Sequence, residues 1–400
     1  MPGPLDGVKV VDLSTMLMAP YATQILGDMG ADVIKVEAPG GDPLRGIGPM
    51  RHPAMGAIAL HVNRSKRSLV LDLKTADGLE VIQDLLRQAD VLVYNLRPQS
   101  MARLGLAYEE VRALNPKIIY AGLYGFGQDG PYAALPAFDD LIQGLVTVPW
   151  LAHKADGGEP KYAPTAIVDR GVGLWAVGQI NGALFHRMRT GEGQRIDMPM
   201  FEMMASFVLG DHLAGAAFEP PLGPAGYVRM LNKHRHPFRT KDGYLCAMIY
   251  TDKHWRNFFR ALGREAEFDR DPRYASMTSR TQNIEALYGE LAELLLTRTR
   301  EDWLELFAEA DVPATPLHDL DSLLRDPHLA ATGFFGTEAH PSEGELRSMA
   351  YPSTWSASQP VTTRPVPRVG EHSEEVLREI GYTAARIAEL RAKGILGEAA

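Results

Sequence analysis

The sequence predicts an α/β protein in which helices flank an open, mostly parallel sheet, together with a smaller α+β domain. Three observations carry this prediction. Short apolar runs alternate with helix-like segments over residues 9–124, as in a doubly wound sheet. The chain has 400 residues, more than one hydrophobic core usually supports. A stretch rich in Pro and Gly, residues 219–226, then separates the two parts.

The predicted strands are short, nearly continuous in apolar residues and rich in β-branched side chains, which is typical of strands buried on both faces. They cover residues 9–14, 32–37, 68–73, 90–95 and 117–124. Apolar residues at helical spacing predict helices over residues 20–29 and 75–88. Ligands of such sheets bind at the carboxyl ends of the strands, so we expect a site there.

A long helix is predicted from about residue 171 to residue 189, and Gly191 is its expected stop. It contains four glycines, Gly171, Gly173, Gly178 and Gly182. Each glycine costs a helix about 1 kcal/mol relative to alanine. We therefore expect them to allow the close approach of another backbone, in a deeply packed helix.

The smaller domain is predicted to begin with two strands within residues 236–250, joined by a turn at Lys241-Asp242-Gly243. Helices follow over residues 255–262, 282–296 and 301–310. The chain then runs through a proline-rich, extended segment, residues 353–369. A single closing helix is predicted over residues 373–393.

Composition excludes several classes of protein. The longest apolar runs are too short to span a bilayer, and the first residues lack the pattern of a secretory signal. The net charge of −9 argues against nucleic acid as the main partner, although residues 40–105 carry a local charge of +3. The single cysteine, Cys246, forms no internal disulfide, which favours a reducing cytoplasm.

Asp169 lies just before the long helix and has two interpretations. Aspartate is among the preferred N-cap residues, so Asp169 is predicted as the cap of this helix. A carboxylate at a helix N-terminus is also stabilised by the helix dipole and is able to act as a nucleophile. The pattern alone favours the cap.

Five motifs occur along the chain in the order LDGVKVVDLSTMLMAPYATQILGDMGADVIKVEAPGGDPLR, NRSKRSLVLDLKT, ADVLVYNLRPQSMARLGL, NPKIIYAGLYGFGQDGPY and TGEGQRIDMPMFE. Together they resemble the class III CoA-transferase family (CaiB/BaiF, with formyl-CoA transferase). The resemblance implies a Rossmann-like large domain over residues 1–220 and 330–400, and a small domain over residues 226–325. It also implies an interlocked homodimer.

The resemblance further implies that Asp169 attacks an acyl-CoA thioester, forms an anhydride and then an aspartyl-CoA thioester, and passes CoA to an organic acid. Coenzyme A or acyl-CoA is then a substrate, and no metal or tightly bound cofactor is required. The residues implied in coenzyme A binding are Met16, Leu17, Met18, Leu71, Lys74, Asn95, Leu96, Arg97, Arg103, Leu104 and Phe138. Cationic side chains such as Lys74 and Arg103 typically donate hydrogen bonds to phosphate groups.

The chain departs from the pattern of formyl-CoA transferase at two places, and a basic stretch offers a contact for a different substrate. Ala38 stands where formyl-CoA transferase has an arginine, so Arg45 or Arg97 is expected to take over part of the phosphate contact. The tetraglycine run of formyl-CoA transferase is absent, which disfavours formyl-CoA and oxalate. Residues 233–236, Lys-His-Arg-His, would suit the far carboxylate of a dicarboxylate such as succinate, or else form only a polar connector.

Two other functions stay open at the level of sequence. The first is an α-methylacyl-CoA racemase, which needs a second base, and Phe138 stands where the racemases have a histidine. The second is a coenzyme A-binding protein without activity. The pattern Gly125-x-Gly127-x-x-Gly130 matches a dinucleotide fingerprint formally, but it does not follow the first strand, so it predicts a tight loop whose amides face an oxyanion.

Overall fold

The computed structural model describes residues 3–397, and the chain forms two compact units. The larger unit comprises residues 3–146, 164–206 and 328–397, and the smaller one comprises Thr147–Ala163 and Phe207–Pro327. The larger unit is built on a six-stranded parallel sheet, and the smaller on a three-stranded antiparallel sheet. The predicted fold class is therefore confirmed.

The strands are β1 Lys9–Asp12, β2 Asp32–Glu37, β3 Lys66–Val70, β4 Val91–Tyr94, β5 Ile119–Tyr124, β6 Gln194–Pro199, β7 Phe238–Arg239, β8 Tyr244–Ala247, β9 Ala314–Pro316, β10 Phe335–His340 and β11 Gly344–Met349. The main sheet has the order β3-β2-β1-β4-β5-β6 with every neighbour parallel. This is the strand order of a Rossmann fold, and the order reverses between β1 and β4.

The helices are α1 Met18–Asp28, α2 Ala57–Val62, α3 Ala76–Gln88, α4 Pro98–Arg103, α5 Tyr108–Leu114, α6 Asp139–Leu145, α7 Val148–Asp156, α8 Ile167–Thr190, α9 Met200–His212, α10 Asp252–Ala261, α11 Glu265–Arg270, α12 Met277–Gln282, α13 Ile284–Leu295, α14 Arg300–Glu309, α15 Leu320–Leu323, α16 Pro327–Ala331, α17 Ser373–Glu379 and α18 Ala384–Ala392. Short 3₁₀ helices lie at Pro43–Gly46, Ala214–Ala217 and Pro272–Tyr274. Among residues 3–397, no helix combines the length and apolar character needed to cross a bilayer.

The five predicted strands of the main sheet are confirmed within a few residues. The sequence did not reveal β6, because this edge strand alternates exposed Arg195 and Asp197 with less exposed neighbours instead of forming an apolar run. The hairpin of β10 and β11 was also missed. Its residues are mostly exposed or half-buried, so they carry no strong apolar pattern.

The core on one face of the main sheet is completed by residues near the end of the chain. Val376, Leu377 and Leu390 are fully buried in the same cluster as Leu69 and Leu92. The prediction of one closing helix is wrong, because α17 and α18 are separate helices. Gly381, with φ of 98°, lies between them and turns the chain.

The smaller unit has an aromatic core beneath its sheet. Phe258 stacks on Phe307 with ring centroids 5.4 Å apart, and Trp303 is fully buried beside them. The predicted turn at Lys241-Asp242-Gly243 does join two antiparallel strands, β7 and β8, and β9 pairs with β8 on the other side. The three predicted helices correspond to α10, α13 and α14.

Helix α8 confirms part of its prediction and contradicts part of it. It ends at Gly191 in the left-handed conformation, as expected. A Cβ on Gly173 would lie 2.7 Å from the carbonyl oxygen of Met18, so this glycine does allow a close approach to α1. A Cβ on Gly178 or Gly182 would meet nothing within 4 Å. Deep packing is therefore confined to one side of the helix within this chain.

Candidate active site

The loops that follow β1 and β4 meet where the strand order reverses. Asn95, directly after β4, accepts a hydrogen bond from the Thr15 amide at 2.9 Å and donates one to the Thr15 carbonyl at 2.7 Å. The side-chain amide thus satisfies both backbone groups of one residue in the loop after β1. Two predicted coenzyme A segments, Met16–Met18 and Asn95–Leu96, are held together at the place where such sheets bind ligands.

Buried charges fix the shape of the loop after β1. Met16 has a left-handed backbone with φ of 66°, and its amide donates to Asp42 Oδ1 at 3.1 Å. Lys35, which is fully buried, pairs with Asp42 Oδ2 at 2.9 Å and donates to the Ser14 carbonyl at 2.8 Å. Because these groups have no access to water, moving the loop would leave charges unpaired, which is costly.

The three cations predicted to contact phosphate are exposed and available. Lys74, Arg97 and Arg103 form no ion pair within the part of the chain that the structure describes. Arg97 donates to the Ala134 carbonyl at 3.3 Å, and Arg103 donates to Ser100 Oγ at 2.9 Å. Exposed cations of this kind are compatible with an anionic ligand such as a phosphate group.

The leucines predicted to bind coenzyme A belong to the core. Leu71 is 1% exposed, and Leu96 and Leu104 pack partly buried against the same cluster. The Leu71 amide donates to the Glu37 carbonyl at 2.8 Å, so this residue is covered by the protein and offers no contact to a ligand in this structure. These residues support the edge of the sheet on which Lys74 and Arg103 lie.

The expectation that Arg45 replaces the missing arginine at position 38 is wrong. Arg45 is 1% exposed and forms a bidentate pair with Glu37, from Nε to Oε1 at 2.6 Å and from Nη2 to Oε2 at 2.8 Å. Its Nη1 donates to the Pro367 carbonyl at 3.0 Å. Since every face of the guanidinium is occupied by protein, Arg97 is the remaining candidate.

The glycine loop after β5 is closed by its own neighbours. The Gly127 amide donates to Glu202 Oε1 at 2.9 Å, and the Gly125 carbonyl accepts from the Phe201 amide at 3.0 Å. Phe126, Tyr132 and Phe201 form an edge-to-face group above it. Because Glu202 already occupies the Gly127 amide, this amide does not face an oxyanion in the structure.

Asp169 is not the N-cap of α8. The helix begins at Ile167, and its N-cap is Ala166, whose methyl side chain accepts no capping hydrogen bond. Asp169 is the third helical residue and is half-buried. The sequence placed the start of the helix too late because Thr165, Ala166 and the β-branched Ile167 and Val168 gave no clear start signal.

Asp139, the first residue of α6, provides the cap. Its Oδ1 accepts hydrogen bonds from the amides of both Val168 and Asp169, each at 2.9 Å. Burial, and next the nearby Asp139 carboxylate, raises the pKa of Asp169 to about 7, although the Arg170 cation opposes this rise. The side chain of Asp169 is thus freed from the capping role and is poised between its two protonation states at neutral pH.

Arg170 joins α8 to the helix that follows the β1 loop. Its guanidinium lies over the Tyr21 ring, 4.3 Å from the centroid. His61 of α2 is also near Tyr21, with ring centroids 6.5 Å apart. Burial, and then the charges of Arg170 and Arg64, lowers the pKa of His61 to about 4, so that this imidazole is neutral at pH 7.

The structure therefore brings together Asp169 and the start of α1, where Met18 lies against α8. Asp139, Arg170, Tyr21 and His61 were missed by sequence reasoning. Asp139 and Arg170 did carry a signal, since each directly follows a predicted site residue, Phe138 and Asp169 respectively. Phe138 itself is 64% exposed as the N-cap of α6. No group of three or more His, Cys, Asp or Glu within residues 3–397 is placed to hold a metal ion.

Comparison with known proteins gives a consistent result. A family model described as CoA-transferase family III matches residues 5–373. The chain is 34% identical over 391 residues to "Succinate--glutarate CoA-transferase" of Agrobacterium fabrum, covering 94% of this chain and 96% of the relative. It is 30% identical over 404 residues to human "Succinyl-CoA:glutarate CoA-transferase", covering 99% and 90%.

A solved structure is also similar over nearly the full length. It is a CaiB/BaiF family protein from Brucella suis, with a TM-score of 0.77 and 32% sequence identity. The alignment covers 95% of this chain and 100% of that protein.

Proposed function

The chain belongs to CoA-transferase family III, and we propose that it moves coenzyme A from succinyl-CoA to a dicarboxylic acid, with Asp169 as the nucleophile. Transfer of CoA between an acyl-CoA and a carboxylic acid is the activity of the chain. The succinyl donor and a five-carbon acceptor such as glutarate are proposed because the Agrobacterium and human relatives are named for them.

The proposed reaction is an exchange of acyl partners on one carboxylate. Asp169 attacks the thioester carbonyl of the donor, the C–S bond breaks, and a mixed anhydride and CoA thiolate form. The thiolate then attacks the aspartyl carbonyl, which releases succinate and leaves an aspartyl-CoA thioester. The acceptor carboxylate attacks this thioester, the C–S bond breaks, and a second mixed anhydride and free CoA thiolate form. The thiolate finally attacks the acceptor carbonyl of this anhydride, which gives the product acyl-CoA and releases the Asp169 carboxylate.

The environment of Asp169 supports this role and carries the proposal. A carboxylate with a pKa of about 7 is a stronger nucleophile than one with an ordinary pKa, yet much of it is ionised at neutral pH. Asp139 caps the helix, so the Asp169 carboxylate has no competing structural hydrogen bond from the helix start. The exchange needs no metal and no tightly bound cofactor, since thiolate is the leaving group.

The coenzyme is proposed to lie along the carboxyl ends of β1, β3 and β4. The loop Met16–Met18, together with Asn95 and Leu96, supplies backbone and apolar contacts, and Leu71 supports them from the core. Lys74, Arg97 and Arg103, with Leu104 nearby, supply charge for the phosphates. Phe138, exposed beside Asp139, is proposed to contact the acyl-CoA.

Racemisation receives no support from the site. Two acid/base groups must flank the α-carbon, and Phe138 cannot exchange a proton. Asp139 already accepts two backbone hydrogen bonds through one oxygen. We therefore retain only the transferase.

We also propose a homodimer, which the family resemblance describes as interlocked. Helix α8 leaves Leu174, Trp175, Phe185 and Met188 between 40% and 82% exposed. A long apolar face of this kind is typical of an interaction surface. The free Cys246 is the reason for proposing a cytoplasmic location.

The decisive experiment captures the intermediate. Wild-type protein is incubated with succinyl-CoA and hydroxylamine, and the modified peptide is identified by mass spectrometry. A hydroxamate on Asp169 is expected, with exchange of labelled glutarate into the CoA thioester and no requirement for ATP. Asp169→Asn should lose both signals. The matched control is Asp140→Asn, which removes an exposed carboxylate close by in α6. Modification at another residue, or full exchange by Asp169→Asn, would refute the proposed mechanism.

A further inference from the structure

A small cavity in the smaller unit has an unusual charge composition. It has a volume of about 250 Å³, and no Asp or Glu lines it. The residues that line it include Arg229 and Arg235 and the aromatic residues His236, Phe238 and Tyr288. This cavity lies wholly within the smaller unit, which does not contain Asp169.

Arg229 is the buried cation of this cavity. It is 9% exposed, and its Nε donates to the Tyr288 hydroxyl at 3.3 Å. Its Nη2 contacts Met248 Sδ at 2.9 Å, and the guanidinium lies 5.4 Å from the centroid of the Tyr250 ring. All of these partners are neutral. Within residues 3–397, no carboxylate pairs with Arg229 or with Arg235.

A buried guanidinium without a carboxylate partner favours the binding of an anionic ligand. A buried charge is expensive unless a charged or strongly polar partner compensates it, and arginine cannot lose its proton to avoid the cost. Other buried arginines of this protein do have such a partner, as Arg45 has in Glu37. We propose that the cavity is a carboxylate-binding site in which Arg229 holds a small organic acid and Arg235 supports it from the rim.

The size of the cavity selects the ligand class. Pockets for drug-sized ligands occupy about 300–1,000 Å³, so 250 Å³ suits a small acid and not a nucleotide. Guanidinium and carboxylate match in a bidentate geometry, and the aromatic and thioether walls suit a short methylene chain. This inference rests on the proposed function for the identity of the acid, a dicarboxylate such as glutarate.

The sequence pattern pointed to the stretch Lys233–His236, and two of its residues, Arg235 and His236, line this cavity. Lys233 pairs with Glu285 at 2.7 Å on the surface and does not line this cavity. The buried cation of the cavity is Arg229, which lies four residues before this stretch. Its isolated position in the sequence gave no sign of a cluster.

The test is isothermal titration calorimetry of the full-length protein with glutarate in the absence of any CoA compound. Wild type is expected to bind, and Arg229→Met is expected to bind about ten- to hundredfold more weakly, as for the loss of a charged hydrogen bond. Arg229→Lys should lie between them because a single ammonium lacks the bidentate fork. The control Lys233→Met removes a cation outside the cavity and should leave affinity unchanged.

A second variant keeps the test informative if Arg229→Met does not fold. Arg235 is exposed, so Arg235→Met is expected to fold and to weaken glutarate binding severalfold. Unchanged affinity in every foldable cavity variant would overturn the inference. Tighter binding of inorganic phosphate or coenzyme A than of glutarate at this site would overturn the assignment to a carboxylate. Capture of the hydroxamate on Asp169 is independent of these results, so the two proposals fail separately.

Discussion

Two aspartates from different helices have separate roles at the start of α8, one as the helix cap and the other as the proposed nucleophile. Asp139 accepts hydrogen bonds from the amides of Val168 and Asp169. The Asp169 carboxylate is therefore not needed to cap the helix. The same proximity places like charges together, so ionisation of Asp169 is opposed. One residue thus orients the other and tunes its basicity.

The first prediction concerns pH. Because Asp169 must be ionised to attack and its pKa is about 7, kcat/KM should rise with pH below 7 and level off above it. Asp139→Asn retains an oxygen to cap α8 but removes the like charge, so the acid limb of this profile should move to lower pH. The profile of each variant is measured by CoA exchange. An acid limb that stays in place would exclude Asp139 as a cause of the raised pKa.

The second prediction concerns stability. The folded-state pKa of Asp169 is raised above the usual value of 3.8, so the folded protein binds this proton more tightly than the unfolded chain. The resulting stabilisation is present at low pH and is lost as the pH rises through about 7. Asp169→Asn should therefore be more stable than wild type at pH 8, by about 1–3 kcal/mol. Urea titrations at pH 8 provide the measurement. A variant less stable than wild type would contradict the raised pKa.

At the scale of elements, the loop after β1 depends on a side chain from the loop after β4. Asn95→Ala should raise the KM for acyl-CoA about tenfold, because both backbone groups of Thr15 lose their partners. Asn115 offers a matched control, since it also bonds main-chain groups, the carbonyls of Leu86 and Ala89, at the other end of the sheet. Asn115→Ala should lower stability and leave the KM unchanged. Equal changes in KM for both variants would mean a general loss of structure.

The contact between α1 and α8 gives a further prediction. A Cβ on Gly173 would lie 2.7 Å from the Met18 carbonyl oxygen. Because this neighbour is main chain, relieving the clash would require α1 or α8 to shift. Gly173→Ala should therefore destabilise the fold by about 1–3 kcal/mol. Gly171→Ala in the same helix would place its Cβ 3.4 Å from the flexible Met204 side chain. It should be tolerated, or even stabilising. Thermal unfolding of the two variants separates these outcomes, and equal loss in both would rule out the close contact as the cause.

Elements with strong apolar periodicity were predictable, and the others were not. The buried strands β1, β2, β4 and β5 were located because both of their faces are covered. The edge strand β6 and the hairpin of β10 and β11 were not predicted, since their exposed positions show no apolar periodicity. The break between α17 and α18 depends on one glycine within an otherwise helical pattern.

At the scale of the whole molecule, the exposed face of α8 predicts self-association. Wild type should sediment as a dimer, and the double variant Leu174→Lys, Phe185→Lys should lose that assembly because it places charge on the apolar face. Leu320→Lys is the control, since it alters a residue that is 81% exposed in the smaller unit. Analytical ultracentrifugation measures the mass. A monomeric wild type would refute the dimer.

The candidate site was predictable where a motif named the residue and unpredictable where folding created the contact. Asp169 and the free cations came from motifs. The role of Asp139 depends on the contact between α6 and α8. The role of Arg229 depends on a cavity whose other lining residues are not adjacent to it in the sequence. Arg45 was misjudged because its partner Glu37 lies eight residues away in a different element.

The larger unit is completed by a segment that is synthesised long after the strands it covers. Ser68 in β3 accepts a hydrogen bond from the amide of His372, 304 positions later, and Arg67 pairs with Glu375 and Glu379. At roughly 5–20 residues per second, a ribosome needs about 15–60 s to make the intervening chain. During that interval β3 lacks its cover, so we expect the larger unit to complete its folding only after these last helices have been made.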